Sequence, residues 1–218
     1  MNSEKVFHFH DGDDELTVKI PEVVHPQYGM FTWPCALVLA QFVWHNRSLI
    51  QGKKVLEIGA GTALPGIVAA KCGALVSLSD SEDYPECLAN CHKSIQANNV
   101  QTLDVLGVTW GQYSPNLINL PSQDIILGSD CFYDPKDFNG ILATISYLLE
   151  KNQNAQFWMT YQERSSNWSI AHLLKTWGLQ CVQVPLEVFG ADKELVGGSK
   201  LSSKHTIQML QITTVHQN

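Results

Sequence analysis

From residue 53 onward the chain alternates short apolar runs with stretches of helical spacing. Apolar runs at 54–60, 74–80, 104–110, 124–130 and 155–162 are bounded by glycine or polar residues, as strands buried on both faces are. Between them, 64–72, 84–98, 137–150 and 167–177 space their apolar residues at helical intervals and predict helices. Gly73 and Gly178 follow two of these helices, where a left-handed residue closes the last turn. Asn98 and Asn99 stop another, and Asp134 or Asp137 caps the start of 137–150. Two more strands, 179–186 and 206–213, have no helix between them. The segment joining them, 187–205, is polar and holds Gly190, Gly197 and Gly198, so the pair is expected to be antiparallel and the connection functional or mobile. Seven strands with helices between the first five predict an α/β fold: a Rossmann-like, mainly parallel seven-stranded sheet with its last strand antiparallel. Ahead of it, 8–20 reads as a hairpin turning at Asp11-Gly12-Asp13, and 33–45 as an amphipathic helix covering the sheet. Residues 1–30 are therefore expected to form an extension packed on one domain spanning 31–218.

Composition narrows the partners. The chain has 218 residues, 44% hydrophobic and 16% charged, enough for one large core. Its net charge of -7, from 14 basic and 21 acidic residues, argues against a broad phosphate-binding face and so against direct nucleic-acid binding. It suits a basic peptide. No apolar run reaches the ~18 residues of a membrane span. The first ten residues lack the apolar core of a signal peptide. Cysteines 35, 72, 87, 91, 131 and 181 lie mostly in apolar stretches, as buried thiols of a cytosolic or nuclear protein do. Cys87-x-x-x-Cys91-His92 has no second ligand pair, so no metal site is expected. His8, His10 and His205 read as surface residues, and Ser165-Ser166 has no His–Asp context.

In an open α/β sheet, ligands bind beyond the carboxyl ends of the strands. The first strand runs into Glu57-Ile58-Gly59-Ala60-Gly61-Thr62-Ala63-Leu64. Gly59 and Gly61 permit a tight turn and close approach of a ligand. A dinucleotide turn would want glycine or alanine where Leu64 stands, and Glu57 is poorly placed for a pyrophosphate, which disfavours a nicotinamide-dependent oxidoreductase. Glu57 suits a cationic ligand such as the amino group of a methionine-type cofactor. Asp80 ends the second strand 19 residues after Gly61, the distance at which an acid accepts ribose hydroxyls. Trp110 ends the third and offers an indole to an adenine face. Ser129, Asp130 and Tyr133 end the fourth, where a reacting group would sit.

This constellation resembles the seven-strand, class I methyltransferases of the methyltransferase-like group, which include lysine methyltransferases with Asp-x-x-Tyr after the fourth strand. The match rests on Trp33-Pro34-Cys35-Ala36, Glu57-x-Gly59-x-Gly61, Thr109-Trp110-Gly111 and Ser129-Asp130-Cys131-Phe132-Tyr133. Within the group the chain is most similar to members described as histone arginine methyltransferases. The resemblance implies S-adenosylmethionine as cofactor, with contacts at Trp33, Glu57, Gly59, Asp80, Trp110 and Asp130; Gly61 and Ser129 are expected to join them in the cofactor site. It implies a protein substrate, a histone H3 tail or alternatively a chaperone lysine, and residence in nucleus and cytoplasm. A non-catalytic, cofactor-binding regulator is the remaining alternative. For an arginine acceptor, carboxylates must hold the guanidinium. Asp130 is the first candidate, Glu163 after the fifth strand and Glu187 after the sixth are the others, and Tyr133 could orient the acceptor.

Overall fold

The computed structural model describes residues 2–23, 30–101, 104–164, 170–202 and 206–215. Ser165, Ser166 and His205 lie outside the described residues, as does the start of the helix expected at 167–177.

The N-terminal hairpin is longer than the pattern predicts. β1 (Asn2–Asp11) and β2 (Asp14–Val23) pair antiparallel along their whole length around Gly12 and Asp13. Alternation puts Phe7, Phe9, Val18 and Ile20 on one face, where all four join the main core. The core is then built from α1 (Pro34–His45), α2 (Arg47–Ile50), β3 (Lys54–Ile58), α3 (Leu64–Lys71), β4 (Leu75–Asp80), α4 (Pro85–Asn98), β5 (Asp104–Gly107), α5 (Pro115–Asn119), β6 (Ile125–Ser129), α6 (Phe138–Glu150), β7 (Gln156–Gln162), α7 (Ala171–Thr176), β8 (Leu179–Val184), β9 (Leu195–Val196), β10 (Ser199–Lys200) and β11 (Ile207–Thr214).

One sheet of seven strands runs β5-β4-β3-β6-β7-β11-β8. The pairs from β5 through β7 are parallel, and β11 is antiparallel to both β7 and β8. The hairpin, α1 and α3 fill one face. Residues from α5, α6 and α7 fill the other. Order reverses between β3 and β4 on one side and β6 on the other, so the crevice for a ligand opens beyond the carboxyl ends of these strands.

Three segments depart from the sequence pattern. The apolar run at 104–110 ends its strand at Gly107: the Val108 amide makes the last bond to β4, at the Asp80 carbonyl (2.7 Å), and Gly111 (φ 76°) then turns the chain onto Thr144 Oγ1 (2.9 Å). Trp110 therefore sits in a turn past the ladder. Next, Ser114 accepts from the Leu117 amide and Pro115 takes the first helical position, making the short α5 that periodicity could not register. The connection at 187–205 is not a loose loop among its described residues. Phe189, Ala191, Val196 and Leu201 are buried in the main core, Phe189 stacks edge-on against Phe42 (5.1 Å), and the Gly197 carbonyl accepts from the His8 amide (2.9 Å). Four apolar side chains among polar neighbours were enough to dock it.

The hairpin is tied to α4 by Asn98 and Asn90, the latter donating to the Pro21 carbonyl (3.3 Å). Asn98 accepts from the Lys19 amide (2.9 Å) and donates to the Lys19 and Ser94 carbonyls (2.6 and 2.8 Å). Asn98→Ala removes all three bonds and is expected to cost about 2–3 kcal/mol at about 1 kcal/mol per bond. Urea unfolding measures the loss, and limited proteolysis should find the hairpin cut faster.

Candidate active site

The site begins where β3 ends. The chain leaves Ile58 through Gly59 (φ 56°), Gly61 (φ 52°) and Ala63 (φ 62°), all in the left-handed region. The turn is braced from several sides. The Ala60 amide bonds the Ser79 carbonyl (2.9 Å), Ser94 Oγ donates to the Thr62 carbonyl (2.9 Å), and Thr62 and Thr32 share a hydroxyl bond (3.0 Å). The last contact brings in the loop before α1, which carries Trp33. Trp33 caps α1, is 39% exposed and meets Phe31 edge to face (5.4 Å). Glycine at 59 is a steric requirement, since a Cβ there would lie 2.8 Å from Trp110 Cζ2 and 3.5 Å from Cys131 Sγ.

Glu57 lies beneath this turn and is fully buried. Its Oε2 accepts from the Gly66 amide in the first turn of α3 (2.8 Å). Among the described residues Oε1 has no hydrogen-bond partner. Burial pushes the carboxyl up to about 8, with the Gly66 amide pulling down and the nearby Asp80 charge adding to the rise. The sequence places Glu57 opposite a ligand; the structure divides it, with one oxygen spent on the helix and the other left over.

Asp80, at the end of β4, is half-buried. Its Oδ2 accepts from the Gly61 amide (2.7 Å) and its Oδ1 from the Ser81 amide (2.8 Å). Burial raises its pKa, and the two amides oppose that. Each oxygen keeps lone-pair capacity for a hydroxyl donor. Trp110 covers Gly59 and leans on Tyr133 at 6.5 Å between ring centres. Tyr133 is 44% exposed, and desolvation pushes its phenol up to about 12, so it stays protonated.

β6 delivers Ser129 and then Asp130. Ser129 is the last ladder residue, opposite Thr160 of β7. Asp130 is left-handed (φ 54°), a conformation that costs a non-glycine residue roughly 1–2 kcal/mol. Its carboxylate is held in a fork by Arg164, Nη1 to Oδ1 at 2.8 Å and Nη2 to Oδ2 at 2.6 Å. The turn and this carboxylate meet through Cys131, whose buried thiol lies against Gly59.

The structure thus gathers Glu57, Gly59, Gly61, Asp80, Trp110, Ser129, Asp130 and Tyr133 at one sheet edge, with Trp33 on the adjoining loop. Glu163 faces elsewhere: its backbone extends the ladder to Thr206 and its Oε2 accepts from Gln208 (3.4 Å). Glu187 lies in the 3-10 turn Leu186–Phe189 and lines a separate groove with Gln183, Asp192 and Gln208. Sequence reasoning missed Arg164 and Cys35. Strand alternation carried the signal for Arg164, because residue 164 shares the face of Thr160, whose hydroxyl bonds the Cys35 carbonyl (2.8 Å) beside Asp130.

A seven-stranded sheet in this order, with a glycine turn after its first strand and acids after the next, is the fold of class I methyltransferases. The SAM Dependent Methyltransferase from Agrobacterium tumefaciens has the same fold (TM-score 0.61, 13% identity, covering 97% of this chain and 70% of that one). The chain belongs to the family described as lysine methyltransferase, whose model matches residues 12–172. It is 53% identical to "Histone-arginine methyltransferase METTL23" of Xenopus laevis, over 96% of this chain and 92% of the relative. It is 54% identical to the protein of the same name from Homo sapiens, over 84% of this chain and 97% of the relative. The family uses S-adenosylmethionine. The residues present fit that cofactor: a buried carboxylate oxygen without a partner among the described residues suits a cationic amino group, and no Cβ fits at Gly59 in the turn above it. Glu57, Gly59 and Gly61 would hold its amino-acid end, and Asp80 its ribose.

Proposed function

We propose that the protein transfers a methyl group to an arginine side chain of a histone tail, with H3 as the expected substrate, in nucleus and cytoplasm. The observation that carries this reading is Asp130, a nearly buried carboxylate next to Cys131 at the cofactor turn, whose lone pairs beyond the Arg164 fork are free to accept from an acceptor N–H. The names of relatives at 53–54% identity support the histone acceptor. The net charge of -7 suits a basic tail.

When bound, the cofactor supplies an already activated methyl group. The chain's own task is to hold the acceptor nitrogen in line and expose its lone pair. Orientation of this kind contributes about 7–11 kcal/mol. Removing the proton is harder, at about 5 kcal/mol for lysine and at least about 7 kcal/mol for arginine at pH 7. Asp130 accepts the acceptor's N–H and stabilises charge as the proton leaves. Tyr133, a neutral phenol, donates or accepts beside it. Glu163 and Glu187 lie on β7's extension and past β8, where they would meet flanking basic residues of the peptide rather than the reacting group.

Labelled S-adenosylmethionine with histone H3, read by mass spectrometry, tests the reading; methyl on arginine is expected, and label confined to lysine would sink it. Asp130→Asn is expected to lower kcat by at least ~100-fold, with binding of S-adenosylhomocysteine nearly unchanged. A second reading, transfer to lysine of a chaperone or other protein, is favoured by the family's description.

A further inference from the structure

We propose that Arg164 is a positioning residue for methyl transfer: its guanidinium pins the Asp130 carboxylate so that the remaining lone pairs of that carboxylate face the acceptor nitrogen. The proposal rests on the reading of Asp130 as the acceptor-side carboxylate.

Asp130 needs to be held. Its left-handed backbone is strained, and its side chain is only 10% exposed. A carboxylate without a partner could rotate about its last bond. The fold surrounds it from three directions. The Asp130 amide donates to the Thr160 carbonyl (2.9 Å), which fixes the backbone. The Cys35 thiol lies near the carboxylate on the α1 side, and burial with the Asp130 charge raises its pKa and keeps it protonated. Arg164 closes the arrangement, with one N–H to each carboxylate oxygen and a further contact from Nη1 to the Gln162 carbonyl (3.3 Å).

The fork geometry decides what is left. A carboxylate has about four lone-pair sites, and a guanidinium fork takes one on each oxygen along a shared edge. The sites left over then point in directions set by the plane of the fork. A lysine at 164 could balance the charge but would not fix that plane, because an ammonium is a point charge on a flexible stem. The pair also leaves Asp130 close to neutral as a unit. Acceptor recognition there depends on hydrogen-bond direction more than on bulk charge, and the charge for a basic peptide comes from groups elsewhere.

A competing role for the same contact is self-occupancy, in which Arg164 sits where an acceptor guanidinium would go and must be displaced. The two roles give opposite kinetics. Full-length wild type, Arg164→Gln, Arg164→Lys, Asp130→Asn and the Asp130→Asn/Arg164→Gln double variant are compared with labelled S-adenosylmethionine, using histones or, if these take no label, protein from cell extract. Arg164→Gln should lower kcat by roughly 30–100-fold while KM for the acceptor changes less than ~3-fold. Calorimetry should find S-adenosylhomocysteine binding within ~3-fold of wild type, which also shows that the variant is folded. Arg164→Lys should recover part of the loss. The double variant should be no more than ~3-fold slower than Asp130→Asn, because the two residues act as one unit. A lower KM or faster turnover in Arg164→Gln establishes self-occupancy and overturns the proposal; so does full additivity with Asp130→Asn. If Arg164→Gln does not bind S-adenosylhomocysteine, Arg164→Lys decides alone: unchanged kcat overturns the proposal, reduced kcat at constant KM upholds it. The residue type methylated by wild type is scored separately, so a lysine product would defeat the arginine reading and leave this cycle intact.

Discussion

Glu57→Gln should make the cofactor-free protein more stable at pH 8 and, at the same time, disable cofactor binding. The carboxyl is fully buried, one oxygen lacks a partner, and burial raises its pKa from 4.5 to about 8. The folded state therefore holds a proton that the unfolded chain has released. Between pH 4.5 and about 8 the folded state binds more protons, so stability falls as pH rises through this window. At 1.36 kcal/mol per pKa unit the loss approaches ~5 kcal/mol at pH 8. Glutamine keeps the bond to the Gly66 amide and removes the charge, but it buries an unpaired amide that costs about 1–3 kcal/mol. The net gain at pH 8 is then about 2–4 kcal/mol, or roughly 4–16 °C in Tm at about 2–4 °C per kcal/mol. At pH 5 the variant should be no more stable than wild type. Losing one partner of a buried charge pair costs about 3–5 kcal/mol, so S-adenosylhomocysteine should bind about 100- to 4000-fold more weakly. Urea unfolding at both pH values and calorimetry at pH 8 check the two arms. A wild type whose stability is flat across the window, or a variant that binds normally, would sink the assignment of Glu57.

Gly59→Arg should abolish cofactor binding. The residue is left-handed, and a Cβ there meets the Trp110 ring at 2.8 Å. Backbone strain of about 1–2 kcal/mol adds to overpacking of about 1–3 kcal/mol. The larger consequence is that the guanidinium fills the turn and drives the indole away. Gly12→Ala provides the control. Gly12 is equally left-handed (φ 61°), yet a Cβ there meets nothing within 4 Å. It should lose only the backbone term, at most ~2 kcal/mol, with binding unchanged. Calorimetry with S-adenosylhomocysteine separates the two, and normal binding by Gly59→Arg is the adverse result.

Much of the fold was legible because apolar periodicity survives in long elements. The strands from Lys54, Leu75, Ile125 and Gln156 lie inside the expected runs, and the antiparallel end of the sheet followed from the missing helix between the last two strands. Boundaries were less legible. The apolar run at 104–110 gave no sign that the ladder stops at Gly107, since Val108 is buried whether it is paired or not. The docking of 187–202 was hidden because Phe189, Ala191, Val196 and Leu201 are spaced by turns, without a period of 2 or 3.6.

By itself the sequence determined the class of ligand and the sheet that holds it. Glycines where the backbone must turn left-handed, acids at strand ends and apolar runs of fixed length are local properties, written in residue order. Tertiary structure alone decided how the carboxylates divide their work. Glu57 spends one oxygen on Gly66, Asp130 is clamped by Arg164, and Glu163 turns to β11. A carboxylate's role is set by which donors reach it and how much water it loses. Those donors come from segments up to 45 residues away in the chain, so their approach is a product of packing and no local pattern encodes it.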